Sequence, residues 1–352
     1  MTELERKIRS KIPGEDTGIA IRPTMCDICS PGMHCGINAY VKDGTVIKIE
    51  GMDGHPVNDG RLCPKGLSNR QYIYRKDRIM TPLRRVGPRG AGEFEPISWE
   101  EAYEEIGNRL NRAKEQYGPE SVAFYSGYSK WYRQMLRRFA YAFGSPNYGC
   151  ESSACYTAAF MAWKLAAGDQ ANADIDNSDL FLGWAFNPFY SSYMEAKKAM
   201  ELKEKGLKFL IVDTRRTPAS EKLADLFLQP RTGTDGALAH AIANVLIGNG
   251  WVDMPYIRKY VHGFEKYAEY VRQFKRDNIE ALTGVPFAQV EAAAALIHEN
   301  PRMSFNESSA PLCHHRNGLQ NYRAVTALLA ITGNFDRTGG QLLTPHTYMH
   351  VA

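Results

Sequence analysis

Four of the seven cysteines lie close together near the start of the chain, with the spacing C-x2-C-x5-C-x27-C: Cys26, Cys29, Cys35 and Cys63. Four thiolates can bind one tetrahedral zinc ion or one 4Fe–4S cluster. Zinc sites usually take their ligands as two close pairs. Three clustered cysteines with one distant cysteine fit the ligation of an iron–sulfur cluster better. The spacing therefore favours the cluster and leaves zinc as the alternative.

A fifth cysteine, Cys155, comes just before a predicted helix, five residues after Cys150. A thiol near the positive end of a helix dipole is more easily deprotonated, which suits a soft metal ligand or a nucleophile. The alternative is a small buried hydrophobic residue, which free cysteine usually is. The loop sequence Cys313-His314-His315 is a weaker metal signal, because histidine pairs in loops are more often structural.

Two apolar segments end in polar residues that could bind a nucleotide. The segment 179–188 contains Gly183 and Asn187, and the segment 207–217 ends in Asp213, Thr214, Arg215, Arg216 and Thr217. An acid that closes an apolar strand can bond a sugar hydroxyl or a base edge, and paired arginines suit phosphates. The alternative for Asp213 is a turn residue that bonds its own backbone. The sequence has no G-x-G-x-x-G and no Walker loop, so ordinary NAD or ATP binding is not supported.

A third candidate segment contains Gly233, Thr234 and Asp235 directly before a predicted helix. Such a segment could hold a base or a phosphate at the helix N-terminus. The alternative is that Asp235 is simply the N-cap residue of that helix.

Hydrophobic patterning predicts the elements that must position these residues. Alternation on both sides of Asp43-Gly44 predicts a hairpin that returns the fourth cysteine. Ser98-Trp-Glu-Glu101 is a capping box that begins a helix ended by Gly118. Apolar strands then alternate with helices, which predicts a buried parallel sheet with right-handed crossovers. The predicted strands are 121–125, 179–183, 207–213 and 302–306, and the predicted helices are 131–143, 156–167, 193–205, 236–247, 253–275, 287–299 and 320–332.

Composition excludes several classes of function. A net charge of +4, from 43 basic and 39 acidic residues, is too balanced to indicate nucleic-acid binding. Seven cysteines without a disulfide spacing favour a reducing compartment. The segment 1–23 is polar and lacks the apolar core of an export signal, and no stretch of the chain is apolar enough to span a membrane. We therefore expect a cytoplasmic protein with no membrane span and no nucleic-acid partner.

From about Pro23 to Gly340 the chain resembles the molybdopterin oxidoreductases of the dimethyl sulfoxide reductase superfamily. The resemblance rests on the cysteine cluster followed by Gly60-Arg-Leu-Cys-Pro-Lys-Gly66, on Gly144-Ser-Pro-Asn147 leading to Cys155, and on Ile211-Val-Asp-Thr-Arg-Arg-Thr217. The segments Thr332-Gly-Asn334 and Gly339-Gly340 also fit. It implies an α/β fold with a small β-rich iron–sulfur domain followed by Rossmann-like parallel α/β domains. The expected divisions are a 4Fe–4S domain at 1–80, a first segment of an α/β domain at 81–150, a pterin-dinucleotide-binding α/β domain at 151–300, and a truncated return into the first α/β domain at 301–352.

The resemblance also assigns roles to individual residues. Cys26, Cys29, Cys35 and Cys63 would bind a 4Fe–4S cluster, and Cys155 would ligate molybdenum or tungsten. Lys65 would help electrons pass between cluster and pterin, and Tyr128 and His314 would lie near the metal. A molybdopterin guanine dinucleotide would be held by Gly183, Asn187, Asp213, Thr214, Arg215, Arg216, Thr217, Gly233, Thr234 and Asp235.

The implied function is a molybdenum- or tungsten-pterin oxidoreductase, or its N-terminal part, acting on a small-molecule substrate. Family enzymes are much longer, so we expect a second polypeptide that supplies the C-terminal half, or an electron-transfer subunit. One alternative is a cluster-bearing electron-transfer or scaffold subunit without its own catalysis. Another is a non-redox, acetylene-hydratase-like enzyme in which the metal acts as a Lewis acid.

Overall fold

The structure is a computed structural model that describes residues 2–26, 28, 34–128, 132–306 and 310–343. The chain divides into two compact units, Met1–Cys150 and Glu151–Ala352, which are described separately. In the described residues, no helix is both long enough and apolar enough to cross a membrane. The four-part domain division predicted from the sequence stays a prediction.

The first unit begins with a three-stranded antiparallel sheet and continues into helices and short strands. Its elements are α1 (Glu3–Arg9), β1 (Ile19–Cys26), β2 (Cys35–Lys42), β3 (Thr45–Gly51), α2 (Pro64–Leu67), α3 (Asn69–Ile73), β4 (Leu83–Arg85), β5 (Phe94–Pro96), α4 (Trp99–Tyr117), β6 (Phe124–Ser126), α5 (Arg133–Phe143) and β7 (Tyr148–Cys150). Strands β4 and β5 form an antiparallel pair, and β6 and β7 form a parallel pair.

The predicted hairpin is present between β2 and β3. Asp43 and Gly44 have φ values of 49° and 73°, the left-handed conformation that a tight two-residue hairpin turn requires. The predicted capping box is also present, since the Ser98 side chain accepts from the Glu101 backbone and the Glu101 carboxylate accepts from the Ser98 backbone. The hairpin turn fixes the start of β3, and the capping box fixes the start of α4.

The second unit is built around a parallel sheet flanked by helices. Its elements are α6 (Thr157–Ala167), β8 (Ala171–Ala173), β9 (Leu180–Trp184), α7 (Pro188–Ser191), α8 (Tyr193–Glu204), β10 (Lys208–Val212), α9 (Pro218–Lys222), β11 (Leu226–Leu228), α10 (Asp235–Gly248), α11 (Met254–Tyr260), α12 (Phe264–Val271), α13 (Arg276–Thr283), α14 (Phe287–Glu299), β12 (Met303–Phe305), α15 (Ala310–Cys313), α16 (Gly318–Ile331) and β13 (Gln341–Leu343).

The central sheet of the second unit has the strand order β11-β10-β9-β12, and every neighbouring pair is parallel. Strand β9 is buried along its whole length, as expected for a strand covered on both faces. The chain moves from β9 to one side of the sheet and later returns to its other side with β12. Such a reversal of strand order creates a crevice at the carboxyl ends of the strands, where ligands of α/β folds bind.

Several predicted element boundaries needed correction. The segment 121–125 splits into a 3-10 turn at Pro119–Ser121 and the strand β6, because Pro119 favours a turn. The segment 253–275 holds two helices, α11 and α12, separated at Gly263, which has a φ of 79°. Helix α5 is described from Arg133, and Trp131 lies outside the described residues. Strand β12 pairs with β9, and strand β13 pairs with β8.

Candidate functional site

The candidate iron–sulfur ligands lie at the end of the first sheet. Cys26 ends β1 and Cys35 begins β2, and the two are direct partners in the strand register. Cys63 directly precedes α2, and Cys29 lies outside the described residues. Within the described ranges, no three His, Cys, Asp or Glu side chains are arranged to hold a metal ion. The shared ligation of these four cysteines therefore stays a prediction.

The loop that carries Cys63 is tied to the strand that carries Cys35 by a buried asparagine. Asn58 is 1% exposed. Its Oδ1 accepts from the Gly36 backbone at 2.7 Å, and its Nδ2 donates to the carbonyls of Gly36 at 3.0 Å and Arg61 at 2.7 Å. A side chain on Gly36 would collide with the His55 ring, since its Cβ would lie 2.5 Å from that ring. The close approach of the loop thus depends on Gly36 and Asn58.

The thiol of Cys26 also receives a hydrogen bond. The Nδ2 atom of Asn69, at the start of α3, lies 3.3 Å from the Cys26 Sγ and 3.1 Å from the Gly66 carbonyl. An amide that donates to a ligand sulfur is an established means of tuning an iron–sulfur cluster. The cysteine donors and the amide that donates to the Cys26 sulfur together fit a cluster ligated by cysteine thiolates.

Two further predicted residues lie in the first unit. Lys65 is exposed on α2, two residues after Cys63. Tyr128 is 50% exposed in the loop after β6, and the Arg133 guanidinium donates to the carbonyls of Gly127 and Tyr128 at 3.0 and 3.3 Å. The proposed places of Lys65 and Tyr128 beside cluster, pterin and metal stay predictions.

In the second unit, Cys155 lies beside the loop that contains His314. A 3-10 turn at Glu151–Ser153 leads to Cys155, whose backbone N–H donates to the Glu151 carbonyl at 2.9 Å. The Nε2 atom of His314 lies 3.3 Å from the Cys155 carbonyl oxygen. Burial, together with the nearby Cys155, raises the pKa of the Cys313 thiol to about 11. The structure therefore brings Cys155, Cys313 and His314 together.

The next residue of that loop, His315, faces the start of α10. Its Nε2 accepts from the Nδ2 of Asn321, which is 1% exposed, at 3.1 Å. A Cβ on Gly236 would lie 2.6 Å from the Asn321 Oδ1, so glycine is needed for this approach. The segment Cys313–His315 thus bonds to Cys155 through His314 and to Asn321 of α16 through His315.

The first residue of α10, Asp235, is 7% exposed and bonds to the end of β9. The Nε1 of fully buried Trp184 donates to the Asp235 Oδ1 at 2.8 Å. Burial raises the pKa of the Asp235 carboxyl, and the Trp184 hydrogen bond and the charge of His315 act in the opposite direction. The N-cap interpretation of Asp235 was wrong, because Thr234 precedes the helix and Asp235 lies inside it.

The end of β9 is itself fixed by an asparagine from the end of β12. The Asn306 Oδ1 accepts from the Trp184 backbone at 2.6 Å, and its Nδ2 donates to the Trp184 carbonyl at 3.1 Å. The following residue, Ala185, has a φ of 54° and donates to the Val212 carbonyl at 2.7 Å. This left-handed residue turns the chain away from the sheet so that Asn187 can precede α7.

The segment after β10 has mostly local bonds. The Asp213 Oδ1 accepts from the Arg215 backbone at 3.1 Å, which is the turn predicted as the alternative for this residue. Burial raises the Asp213 pKa, and the nearby Asp235 raises it further. Arg215 and Arg216 lie over the rings of Tyr190 and Phe227.

Thr217 caps α9 by a reciprocal bond with Ser220 and is 3% exposed. Thr214 and Arg216 border a polar cavity of about 690 Å³ at the ends of β10 and β11. Its other walls include Arg231 and Gln289. This cavity therefore offers two arginines to an anionic group.

Two observations test whether this edge of the sheet fits a dinucleotide. The Oδ1 of Asn187 is buried and has no hydrogen-bond partner among the described residues. Gly233 has a φ of 83° and leaves open space where a side chain would be. The buried Oδ1 of Asn187, the carboxylates of Asp213 and Asp235, and the open space at Gly233 are consistent with a bound polar ligand. Gly183 also has a packing role, since a Cβ at this position would lie 2.5 Å from the Ile211 side chain.

Sequence reasoning missed four residues of these sites: Asn58, Asn69, Trp184 and Asn306. Each acts through a hydrogen bond to a residue distant in the chain, as in the 122 positions between Trp184 and Asn306. Trp184 is apolar in character and Asn58 lies in a loop, so neither carries a local signal. Only the asparagine type at a turn could have drawn attention to Asn58.

Family comparisons match nearly the whole chain. Residues 78–347 match the family described as Molybdopterin oxidoreductase, and residues 19–75 match its Fe4S4 domain, described as Molybdopterin oxidoreductase Fe4S4 domain. The first match covers more than half of the chain.

Curated relatives agree with these matches. The chain is 31% identical over 324 residues to the probable oxidoreductase YoaE of Bacillus subtilis, covering 90% of this chain and 47% of that protein. It is 31% identical over 342 residues to the thiosulfate reductase molybdopterin-containing subunit PhsA of Salmonella typhimurium, covering 94% of this chain and 43% of that protein. Formate dehydrogenase H of Escherichia coli is 28% identical over 332 residues, covering 89% and 45%.

A solved structure, acetylene hydratase from Pelobacter acetylenicus, superposes with a TM-score of 0.79 at 28% identity, covering 92% of this chain and 44% of that chain. This chain thus spans less than half the length of these relatives. The Fe4S4 match coincides with the cysteine-bearing sheet, and the larger match contains Cys155 and the parallel sheet. The chain therefore belongs to the molybdopterin oxidoreductase family, within the dimethyl sulfoxide reductase superfamily, and carries that family's Fe4S4 domain.

Proposed function

We propose that this chain is the cluster-bearing and metal-ligating part of an enzyme that uses molybdenum or tungsten bound to pterin guanine dinucleotide. The observation that carries the proposal is the segment Cys313–His315, in which His314 bonds to the Cys155 carbonyl and His315 lies near enough to Asp235 for its charge to lower the pKa of that carboxyl. This segment therefore lies beside both the thiol proposed for the metal and the carboxylate proposed for the nucleotide.

Each predicted residue keeps a defined role in this proposal. Cys26, Cys29, Cys35 and Cys63 hold the 4Fe–4S cluster, and Cys155 supplies a thiolate to the metal. The exposed ammonium of Lys65 supports electron passage from pterin to cluster. Tyr128 and His314 lie near the metal. The dinucleotide is held by Gly183, Asn187, Asp213, Thr214, Arg215, Arg216, Thr217, Gly233, Thr234 and Asp235.

When bound, the metal–pterin group supplies two-electron chemistry such as oxygen-atom or hydride transfer within a soft sulfur coordination sphere. The chain's own residues orient that group. Asp235 and Asn187 offer acceptors to the base and sugar, and Arg216 and Arg231 offer guanidinium groups to the phosphates. His314 holds the Cys155 backbone and can move a proton near the metal.

A non-redox hydratase is the second candidate function. It is favoured by the likeness to acetylene hydratase, at a TM-score of 0.79. In that case the metal acts as a Lewis acid on water, and the cluster would not change its oxidation state during turnover. Cluster reduction on addition of substrate, followed by electron paramagnetic resonance, separates the two candidates. An electron-transfer or scaffold subunit without its own catalysis would bind the iron of the cluster but neither pterin nor molybdenum or tungsten.

We also propose an electron-transfer subunit as partner, which would exchange electrons with the 4Fe–4S cluster. A relative, the thiosulfate reductase molybdopterin-containing subunit PhsA, is by its name one subunit of a larger enzyme. Thiolate ligands favour a reducing compartment, and we propose the cytoplasm.

Replacement of two neighbouring cysteines tests the metal assignment. In the assembled enzyme, Cys155→Ala should abolish turnover and lower the metal content. Cys150→Ala should leave both near wild type, because Cys150 lies in strand β7 paired with Ser126. Loss of activity only in the Cys150 variant would contradict the assignment.

Lys65→Ala should keep iron and pterin but slow cluster reduction by substrate, and an unchanged rate would remove Lys65 from the electron path.

A further inference from the structure

The carboxylate of Asp235 is held by a single buried side-chain donor. Among the described residues, Trp184 alone donates a side-chain hydrogen bond to it, through Nε1 at 2.8 Å to Oδ1. Asp235 is 7% exposed, so its carboxylate is costly to desolvate, and the Trp184 N–H together with a local backbone N–H offsets only part of that cost. Asp213 lies close enough to add electrostatic repulsion. This arrangement is unfavourable for the protein alone and becomes favourable with a ligand that donates hydrogen bonds.

We propose that Trp184 is a positioning residue for Asp235, and that its indole N–H fixes the carboxylate so that this subsite prefers guanine over adenine. The inference rests on the proposed function and adds to it the residue that sets the base preference. Guanine presents two adjacent donors, the N1–H and the 2-amino group, which match the acceptor-only carboxylate. Adenine lacks that pair, and a site built to accept such donors rejects an analogue without them.

Trp184 is rigid enough for this task. It is fully buried, its ring is enclosed by the core of the second unit, and both of its backbone polar groups bond to Asn306. Ala185, in a left-handed conformation, bonds to the neighbouring strand directly after it. The indole N–H therefore points at one fixed place at the carboxyl end of the sheet.

The chain offers a matched control at Trp163. That side chain is also fully buried in the same core, and its Nε1 donates to the Tyr322 hydroxyl at 3.1 Å. Phenylalanine at either position removes one indole N–H and part of one ring. Losses of packing should therefore be similar in the two variants, whereas only Trp184→Phe releases Asp235.

The test measures GDP and ADP binding to the full chain by calorimetry, in the wild type, Trp184→Phe, Trp163→Phe, Asp235→Asn and the Trp184→Phe/Asp235→Asn double variant. We expect the wild type to bind GDP about tenfold or more tightly than ADP. Trp184→Phe should reduce this ratio about fivefold or more, as expected for a lost hydrogen bond to a charged group. Trp163→Phe should leave the ratio unchanged. In the Asp235→Asn background, Trp184→Phe should have no further effect on the ratio.

Each failure has a distinct meaning. An unchanged ratio in Trp184→Phe, or an equal fall in Trp163→Phe, would overturn the positioning role while the proposed nucleotide site stands. A wild type that shows no preference for GDP would overturn the guanine subsite and this inference together. If Trp184→Phe does not fold, benzothienylalanine at position 184 replaces the N–H by sulfur in a ring of nearly the same shape. It should give the same loss of preference, and retention of the preference would overturn the role of the N–H.

Discussion

The side-chain amide of Asn69 donates a hydrogen bond to the Sγ of Cys26 over 3.3 Å. A donor to a ligand sulfur stabilises the more negative, reduced state of an iron–sulfur cluster. The same amide donates to the Gly66 carbonyl, so it is fixed between the Cys63 loop and the strand that ends at Cys26. The Asn69 amide therefore links Cys26 to the segment that follows Cys63, two parts of the cysteine cluster that are distant in the chain.

Replacement of Asn69 should therefore change the potential of the cluster more than its presence. Asn69→Leu should retain the iron and shift the midpoint potential to a more negative value, because the reduced state loses a hydrogen bond. Redox titration followed by electron paramagnetic resonance measures this shift. The exposed neighbour Gln71 on the same helix offers a control, and Gln71→Leu should leave the potential unchanged. Equal potentials in the Asn69 variant and the wild type would show that the amide does not act on the cluster.

Asn58 should stabilise the cluster loop directly. Asn58→Ala removes two buried hydrogen bonds to Gly36 and a partly buried one to Arg61, and the groups left unsatisfied should lower the local free energy of unfolding by about 2–4 kcal/mol. Hydrogen exchange of the β1–β3 amides measures this loss, together with faster release of iron to a chelator. Val57→Ala, in an exposed neighbour, should change neither quantity. Wild-type protection in Asn58→Ala would mean that the loop is held by other contacts.

The stability of the second unit should depend on pH through His240. This side chain lies among Tyr267, Tyr270 and Phe274, and burial lowers its pKa from 6.5 to about 4. The unfolded chain binds a proton below pH 6.5 that the folded chain does not bind, so stability is lost as the pH falls from 6.5 toward 4. Between pH 7 and pH 5 the loss should be about 2 kcal/mol, an upper estimate from the shift in pKa.

Thermal unfolding at pH 7 and pH 5 measures this contribution. His240→Phe should remove that part of the pH dependence, and His298→Phe, at an exposed ring stacked on Trp251, should retain it. The same pH dependence in His240→Phe and the wild type would assign the effect to other groups.

Local signals predicted much of the fold, and contacts between distant residues decided the rest. The Asp43-Gly44 turn and the Ser98–Glu101 capping box could be predicted because the responsible residues are adjacent in the chain. The parallel sheet could be predicted from apolar strands such as β9 and β10. The side of β9 on which β12 pairs could not, since more than a hundred residues separate them.

The candidate site shows the same division. The residue types of Cys155 and Asp235 indicated a metal ligand and a nucleotide contact. The local sequence could not reveal that His314 bonds to Cys155 or that Trp184 bonds to Asp235. Asp213 accepts a bond from its local turn, and Asp235 accepts one from a buried indole 51 positions away, while the nucleotide-binding roles of both stay predictions. Such bonds depend on how the strands align, which the local sequence does not specify.

The central claim is that this chain holds both a 4Fe–4S cluster and a guanine dinucleotide of a metal–pterin. The most direct test is cofactor analysis of the protein purified anaerobically from the cells that make it, in whatever assembly it occupies there. We expect about four irons and four sulfides per chain, molybdenum or tungsten in the assembly, and GMP released by acid hydrolysis. One zinc per chain, with no iron, no molybdenum or tungsten and no released GMP, would contradict the account.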